Sequence, residues 1–311
     1  MTVETKDYVV RTIQGDMLTP ISIFNALQGE HKVLFESNAK YNESGRYSFI
    51  AANPIAELKG GKDSCMYTQN GETATLNVSV LEQLKSCLPI RSGNYPFAFF
   101  GGAIGYFGYE TAFHFERIGD IVNDAYNMPD VHVFFYDTFI VIDHLLQTVT
   151  VAAIDLFQTG RTIEDMERAI AQIELQLNAQ QAQSTEEPSA ISFNTTIEKA
   201  RFIEMVETAK EHIRKGDIFQ VVLSQTFEAN FDGNPFGLYR KLRSNNPSPY
   251  MFYVEFGDYT ILGTSPESLV KVQNGIVTTN PIAGTKPRGK TPEEDTALAE
   301  GLLADEKEIA E

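Results

Sequence analysis

The chain has 311 residues and not one tryptophan. It has only two cysteines, Cys65 and Cys87, which match no zinc or iron–sulfur ligand pattern. Two free thiols in a reducing compartment is the first reading, and a single Cys65–Cys87 disulfide is the alternative. The five histidines, His31, His114, His132, His144 and His212, are scattered without metal-site spacing. No run of about 18 or more apolar residues exists, so no membrane-spanning helix is expected. The polar start, Met1 to Asp7, lacks the apolar core of a signal peptide, so a cytoplasmic location is expected. Basic residues are also scarce: 25 against 42 acidic ones, a net charge of −17. Without a basic face a general nucleic-acid role is excluded, and any anionic ligand must be caught by a local site.

What is present suits a soluble globular protein of about two domains, with 42% apolar residues. Val33–Ser37, Tyr47–Ala51, Val131–Tyr136 and Phe139–Asp143 read as strands. Asp137-Thr138 between the last two suggests a tight hairpin, and Leu146 to Leu156 continues the meander. From Thr162 the period changes. Ile163, Met166, Ile170, Ile173 and Leu177 recur at helical spacing, and Thr162 can cap the start. A polar, low-complexity stretch at 178–190 reads as a linker between a domain at 1–177 and a second at 191–311.

Beyond it, Thr196 to Lys215 reads as an amphipathic helix ending at Gly216. Phe219–Thr226 reads as a strand and Pro235–Ser244 as a helix. Further strands follow at Tyr250–Phe256, Tyr259–Gly263 and Ser268–Val272, and Pro292 to Glu311 reads as an acidic helix. That helix stops without a cap or turn, so a truncated second domain is expected.

The densest local signal is Asn280-Pro-Ile-Ala-Gly-Thr-Lys-Pro-Arg-Gly289. Two prolines, two glycines and two cations in ten residues cannot extend the preceding β-branched run. The segment reads as a shaped turn that could present N–H groups and cations to an anion, or as an ordinary surface turn. Gly101 to Tyr109 alternates glycine with aromatics but lacks the phosphate-loop pattern, and it reads as a structural strand and turn.

Taken in order, these segments resemble the anthranilate synthase component I family of chorismate-utilising enzymes. The matching stretches are Leu34–Ser37, Gly45–Ile50, Gly101–Glu110, Gly216–Val222, Pro249–Met251, Gly263–Glu267, Pro281–Gly289 and Lys307–Glu311. The resemblance implies an α+β fold of two packed β-sheets with flanking helices. It makes 1–177 the regulatory domain and 191–311 part of the chorismate-binding domain. The implied reaction converts chorismate and ammonia to anthranilate and pyruvate, the first step of tryptophan biosynthesis. A glutamine amidotransferase subunit, component II, would supply the ammonia, in a heterotetramer.

By the same resemblance, Gly284 and Thr285 contact chorismate: glycine admits close backbone approach and threonine adds a hydroxyl. Glu267 is the general acid for loss of the C4 hydroxyl. Mg²⁺ is held by Glu311, with Glu308 beside it on one helix face. Glu36, Ser37, Pro249, Tyr250 and Met251 form a site for tryptophan as feedback inhibitor. Ala283 stands where many aminodeoxychorismate synthases carry a nucleophilic lysine. Gln220 stands where isochorismate and salicylate synthases carry a lysine base. With neither lysine, ammonia is the fitting nucleophile. Outside the resemblance, plain readings stand beside these roles: a strand residue for Gln220, a salt-bridged glutamate for Glu267 and a solvated helix face for Glu308 and Glu311. The absence of tryptophan suits an enzyme of tryptophan synthesis, and chance explains it nearly as well. Two competing functions remain: an aminodeoxychorismate synthase component, and a non-catalytic tryptophan- or partner-binding module. Residues 1–311 alone are expected to be inactive.

Overall fold

The computed structural model describes residues 7–37, 45–88, 95–97, 99–119, 126–179, 191–273, 275–282 and 284–310. Contacts divide the chain into two compact units: Met1–Gln183 with Leu242–Glu311, and Ser184–Lys241. Residues 180–190, most of the expected linker, lie outside the described residues.

The first unit begins with β1 (Tyr8–Gln14), α1 (Pro20–Ala26), β2 (Val33–Glu36) and β3 (Tyr47–Ala51). Next come β4 (Ala56–Gly60), β5 (Cys65–Gln69), β6 (Glu72–Leu76), α2 (Val80–Cys87) and β7 (Gly102–Phe107). Then follow β8 (Val131–Tyr136), β9 (Thr138–Asp143), β10 (Thr148–Ile154) and α3 (Ile163–Asn178). The second unit contains β11 (Asn194–Thr195), α4 (Lys199–Lys215), β12 (Phe227–Glu228) and the start of α5 (Pro235–Asn245). The first unit resumes with β13 (Tyr250–Glu255), β14 (Thr260–Ser265), β15 (Lys271–Gln273), β16 (Ile276–Thr278), α6 (Pro292–Leu303) and α7 (Glu306–Ala310).

Two antiparallel sheets organise the first unit. The larger runs β1-β10-β9-β3-β2-β13-β14 and the smaller β6-β5-β4-β8-β7. One apolar cluster joins Val33, Ala51 and Val141 of the larger sheet to Leu58, Val133 and Phe135 of the smaller. Helices α1 and α3 pack on the larger sheet and α2 on the smaller. This is the expected α+β arrangement of packed sheets with flanking helices. The larger sheet takes β13 and β14 from beyond the expected linker, because β13 pairs with β2.

The strands β8 and β9 show why the hairpin expected at Asp137-Thr138 does not form. β8 pairs with β4 and β7, whereas β9 pairs with β3 and β10. The chain therefore crosses from one sheet to the other at this point. A two-residue hairpin favours residues that tolerate positive φ, and a β-branched threonine does not. Asp137 is instead pinned at the corner by Arg161, 2.8 Å away, and its carbonyl accepts from Ile154 N–H at 2.8 Å. Every residue of β8 is buried, which accounts for a run that is apolar but for His132.

Helix α3 follows its sequence signals. The Thr162 hydroxyl accepts from Asp165 N–H, and Met166, Ile170 and Leu177 are buried, whereas Ile163 of the expected apolar face is exposed in the first turn. Each such burial contributes about 1.5–3 kcal/mol.

In the second unit, α4 ends as expected at Gly216, whose φ of 78° lies in the left-handed region. The strand expected over Phe219–Thr226 is not formed. Among the described residues it pairs with nothing except at its edge, and Phe219 and Val222 are each 82% exposed. An apolar run becomes a strand only when a neighbour takes its backbone groups. The acidic segment from Pro292 is two helices, α6 and α7, rather than one.

Candidate functional site

Strands β2 and β13 lie side by side with Glu36 opposite Met251. Antiparallel pairing thus brings together two segments far apart in sequence. They open into a cavity of about 500 Å³ lined by Glu36, Ser37, Tyr250 and Met251. Its walls are aromatic and aliphatic: Phe35, Tyr47, Phe49, Phe99, Ile104 and Phe107. Pro249 precedes β13 and is not among the lining residues. The size suits a small-molecule site, and a carboxylate in an apolar cavity favours a ligand with one cationic group.

The polar end is tightly arranged. The Glu36 side chain is only 2% exposed and accepts from Arg243 Nη2 at 2.8 Å. Ser37 donates to the Tyr47 carbonyl at 3.1 Å. Arg46 donates to Asp143 at 2.7 Å and stacks 4.9 Å from the Tyr47 ring. His144 lies 2.8 Å from the Ser48 hydroxyl, and burial pushes its pKa down while Glu36 pulls it up. Sequence reasoning missed Arg243, and it missed that β7 forms a wall. The glycine–aromatic alternation of 101–107 was the available signal: glycines let the strand sit tightly, and Ala103, Ile104, Gly105 and Phe107 line the cavity.

The residues expected at chorismate form a second group. Ile282 N–H donates to Glu267 Oε1 at 2.9 Å, tying the expected general acid to the Asn280–Gly289 segment. A Cβ on Gly284 would lie 2.2 Å from the Glu308 carboxyl carbon, so the backbone here faces that carboxylate directly. Glu308 Oε2 is buried and has no hydrogen-bond partner. An orphaned carboxylate oxygen beside a bare glycine fits one ligand of a hard cation such as Mg²⁺. Among the described residues no cluster of three or more metal-ligating side chains occurs. Glu311 and Ala283 lie outside the described residues.

The rest of the segment turns toward α6. Arg288 forms a two-point ion pair with Asp295, and Gly289 N–H donates to the same carboxylate at 2.8 Å. Arg288 is therefore engaged by Asp295 of the following helix, which agrees for this cation with the ordinary surface-turn reading of the segment. Thr285 and Lys286 are exposed, as is Glu267. Gln220 belongs to the second unit, where it sits exposed in irregular chain.

Comparison with known proteins gives a family. Residues 30–311 match the model for chorismate binding enzymes. Anthranilate synthase component 1 of Lactococcus lactis is 38% identical over 305 residues, covering 97% of this chain and 66% of that protein. The crystal structure of anthranilate synthase component I from Streptococcus pneumoniae superposes with a TM-score of 0.72 at 40% identity, covering 96% of this chain and 65% of that one. The menaquinone-specific isochorismate synthase of Escherichia coli shares the fold, with a TM-score of 0.62 at 16% identity, covering 98% of this chain and 61% of that one. The chain spans about two thirds of the length of the curated relatives it matches. No helix among the described residues is long and apolar enough to cross a membrane.

Proposed function

The chain belongs to the chorismate-binding enzyme family, and on that premise we propose that it serves the anthranilate synthase component I reaction under feedback control by tryptophan. The observation that carries this reading is the cavity in which Glu36, Ser37, Tyr250 and Met251 meet between aromatic walls. An indole matches those walls, and an α-ammonium matches the buried carboxylate.

In the reaction, ammonia adds at C2 of chorismate, the C4 hydroxyl leaves as water, and pyruvate is then eliminated to give anthranilate. Glu267 supplies the proton to the departing hydroxyl. Its Oε1 accepts from Ile282 N–H, which leaves Oε2 to carry the proton. Gly284 and Thr285 contact chorismate, the first by close backbone approach and the second by its hydroxyl. Gln220 cannot act as a base toward water, and Ala283 cannot act as a nucleophile, which leaves the chemistry to ammonia. Glu308 and Glu311 would hold Mg²⁺, which when bound supplies positive charge against a substrate carboxylate. The ammonia comes from a glutamine amidotransferase subunit, component II, in a heterotetramer, and the setting is cytoplasmic. The functional division is a regulatory part at 1–177 and a chorismate-binding part at 191–311.

From residues 1–311 as a separate polypeptide we expect tryptophan binding without turnover. Glu267, Thr285 and Gln220 are all solvent-exposed, whereas protonating a leaving hydroxyl calls for an enclosed site. The catalytic part is tested in a chimera in which residues 1–311 replace the matching part of the Lactococcus lactis relative. Given chorismate, ammonia and Mg²⁺, 2-aminobenzoate as product supports the proposal. A 4-amino product would replace it with aminodeoxychorismate synthase. Tryptophan binding by a chimera that makes neither product would leave a non-catalytic binding module.

A further inference from the structure

The cavity is bounded by β7 of the smaller sheet and by β2, β3 and β13 of the larger. Its width is therefore the spacing between two sheets. Apolar packing alone sets such a spacing loosely, because it is non-directional. A directional link spans the same gap. The Tyr259 hydroxyl, in the turn that joins β13 to β14, lies 2.6 Å from His132 Nδ1 on β8 and 3.3 Å from the Tyr106 hydroxyl on β7. His132 Nε2 lies 2.8 Å from Glu57 Oε1, and Tyr106 donates to the Pro129 carbonyl at 2.9 Å. Residues 104, 105 and 107 of β7, on either side of Tyr106, line the cavity.

The proton placement follows from chemistry. Glu57 is a carboxylate, held down to about 2 first by the His132 hydrogen bond. Nε2 of His132 therefore carries the hydrogen, Nδ1 is an acceptor, and Tyr259 donates to it. A second proton on His132 would reverse this. Nδ1–H would donate to Tyr259, which would then have to donate across the longer 3.3 Å gap to Tyr106.

Resting on the reading of the cavity as a tryptophan site, we infer that Tyr259, anchored by its hydrogen bond to His132, is a positioning residue that sets the cavity width and couples ligand affinity to the protonation of His132. Other charged and titratable groups face this histidine: Glu57 and Lys59 from β4, His31 ahead of β2, and Tyr259 in its turn. The remaining neighbours are the rings of Phe134, Phe256 and Tyr106. By linkage, ligand binding must change the proton affinity of His132 as much as the proton changes ligand affinity.

The chain has no tryptophan, so the fluorescence of added L-tryptophan, excited at the red edge of its absorption, reports binding without background. Tyr259→Phe removes one hydroxyl and should weaken binding about five-fold or more near neutral pH, with a smaller loss for Tyr106→Phe. Affinity of the unaltered chain should fall as the pH drops below about 6.5, and this dependence should be flatter in Tyr259→Phe. His144 at the polar end titrates in both proteins and cancels in the comparison. A Tyr259→Phe protein that melts earlier yet binds tryptophan with unchanged affinity and pH profile would show a purely structural role and overturn the inference. If Tyr259→Phe fails to fold, Tyr106→Phe carries the same comparison. Absence of tryptophan binding by the unaltered chain would overturn the site reading itself, and this inference with it.

Discussion

Glu36→Gln is the sharpest test of the cavity. The carboxylate side chain is 2% exposed and its Oε1 already accepts from Arg243 Nη2 at 2.8 Å. Glutamine keeps the shape and removes the charge. A hydrogen bond to a charged group is worth about 1.5–3 kcal/mol net, so losing the ammonium contact should weaken tryptophan binding roughly ten- to hundred-and-fifty-fold. The upper part of that range is expected, because Arg243 stays behind and its uncompensated charge repels the ligand's ammonium. The cost in stability should be smaller. Breaking a fully buried pair costs about 3–5 kcal/mol, but Arg243 is 32% exposed and can turn to water.

Fluorescence titration with L-tryptophan measures the loss, and indole-3-propionate, which has no ammonium, is the control. Tryptophan should lose its advantage over the control in Glu36→Gln, with both ligands binding weakly and alike. The reasoning fails if tryptophan affinity is unchanged. It also fails if both ligands lose equally, since that would mean a deformed cavity rather than a missing charge.

Three further outcomes are expected. A Cβ at Gly105 would lie 2.0 Å from the His132 carbonyl oxygen and 2.7 Å from Val133 Cα, backbone that cannot yield. Gly105→Ala should therefore destabilise by at least about 3 kcal/mol or prevent soluble expression, as thermal unfolding will show. Thr162→Ala removes the cap on α3 and should lower stability by about 1 kcal/mol in urea unfolding, with no effect on tryptophan affinity. Burial holds His132 below the ordinary histidine range, against the pull of Glu57. The unfolded chain then binds that proton more readily, so the contribution to stability is whole above about pH 6.5 and declines as pH falls below it. Urea midpoints at several pH values should show this decline, and His132→Asn should flatten it. Glu57 adds its own loss only below about pH 4.5, as pH falls toward its folded value of about 2.

How far the sequence could be read depended on whether a signal was local. The cap at Thr162, the apolar face of α3 and the left-handed stop at Gly216 each rest on residues within a few positions of one another, and the structure has them where they were expected. Segments 36–37 and 250–251 came from a family resemblance, since no periodicity connects them. Their physical link is the β2–β13 pairing, which is invisible along the chain. The same non-locality explains the failures. Two apolar runs joined by Asp137-Thr138 look like a hairpin because both alternatives need the same composition, and the choice lies with partners far off in sequence. The run at 219–226 has strand composition yet takes no ladder of its own, because composition cannot supply a neighbour. Charge follows the same rule. The Glu36 carboxylate suits a ligand's ammonium, but Arg243, 207 positions away, already engages it. A ligand must therefore share or displace an existing cation, so affinity here is a difference between two ion pairs, which a sequence motif cannot encode.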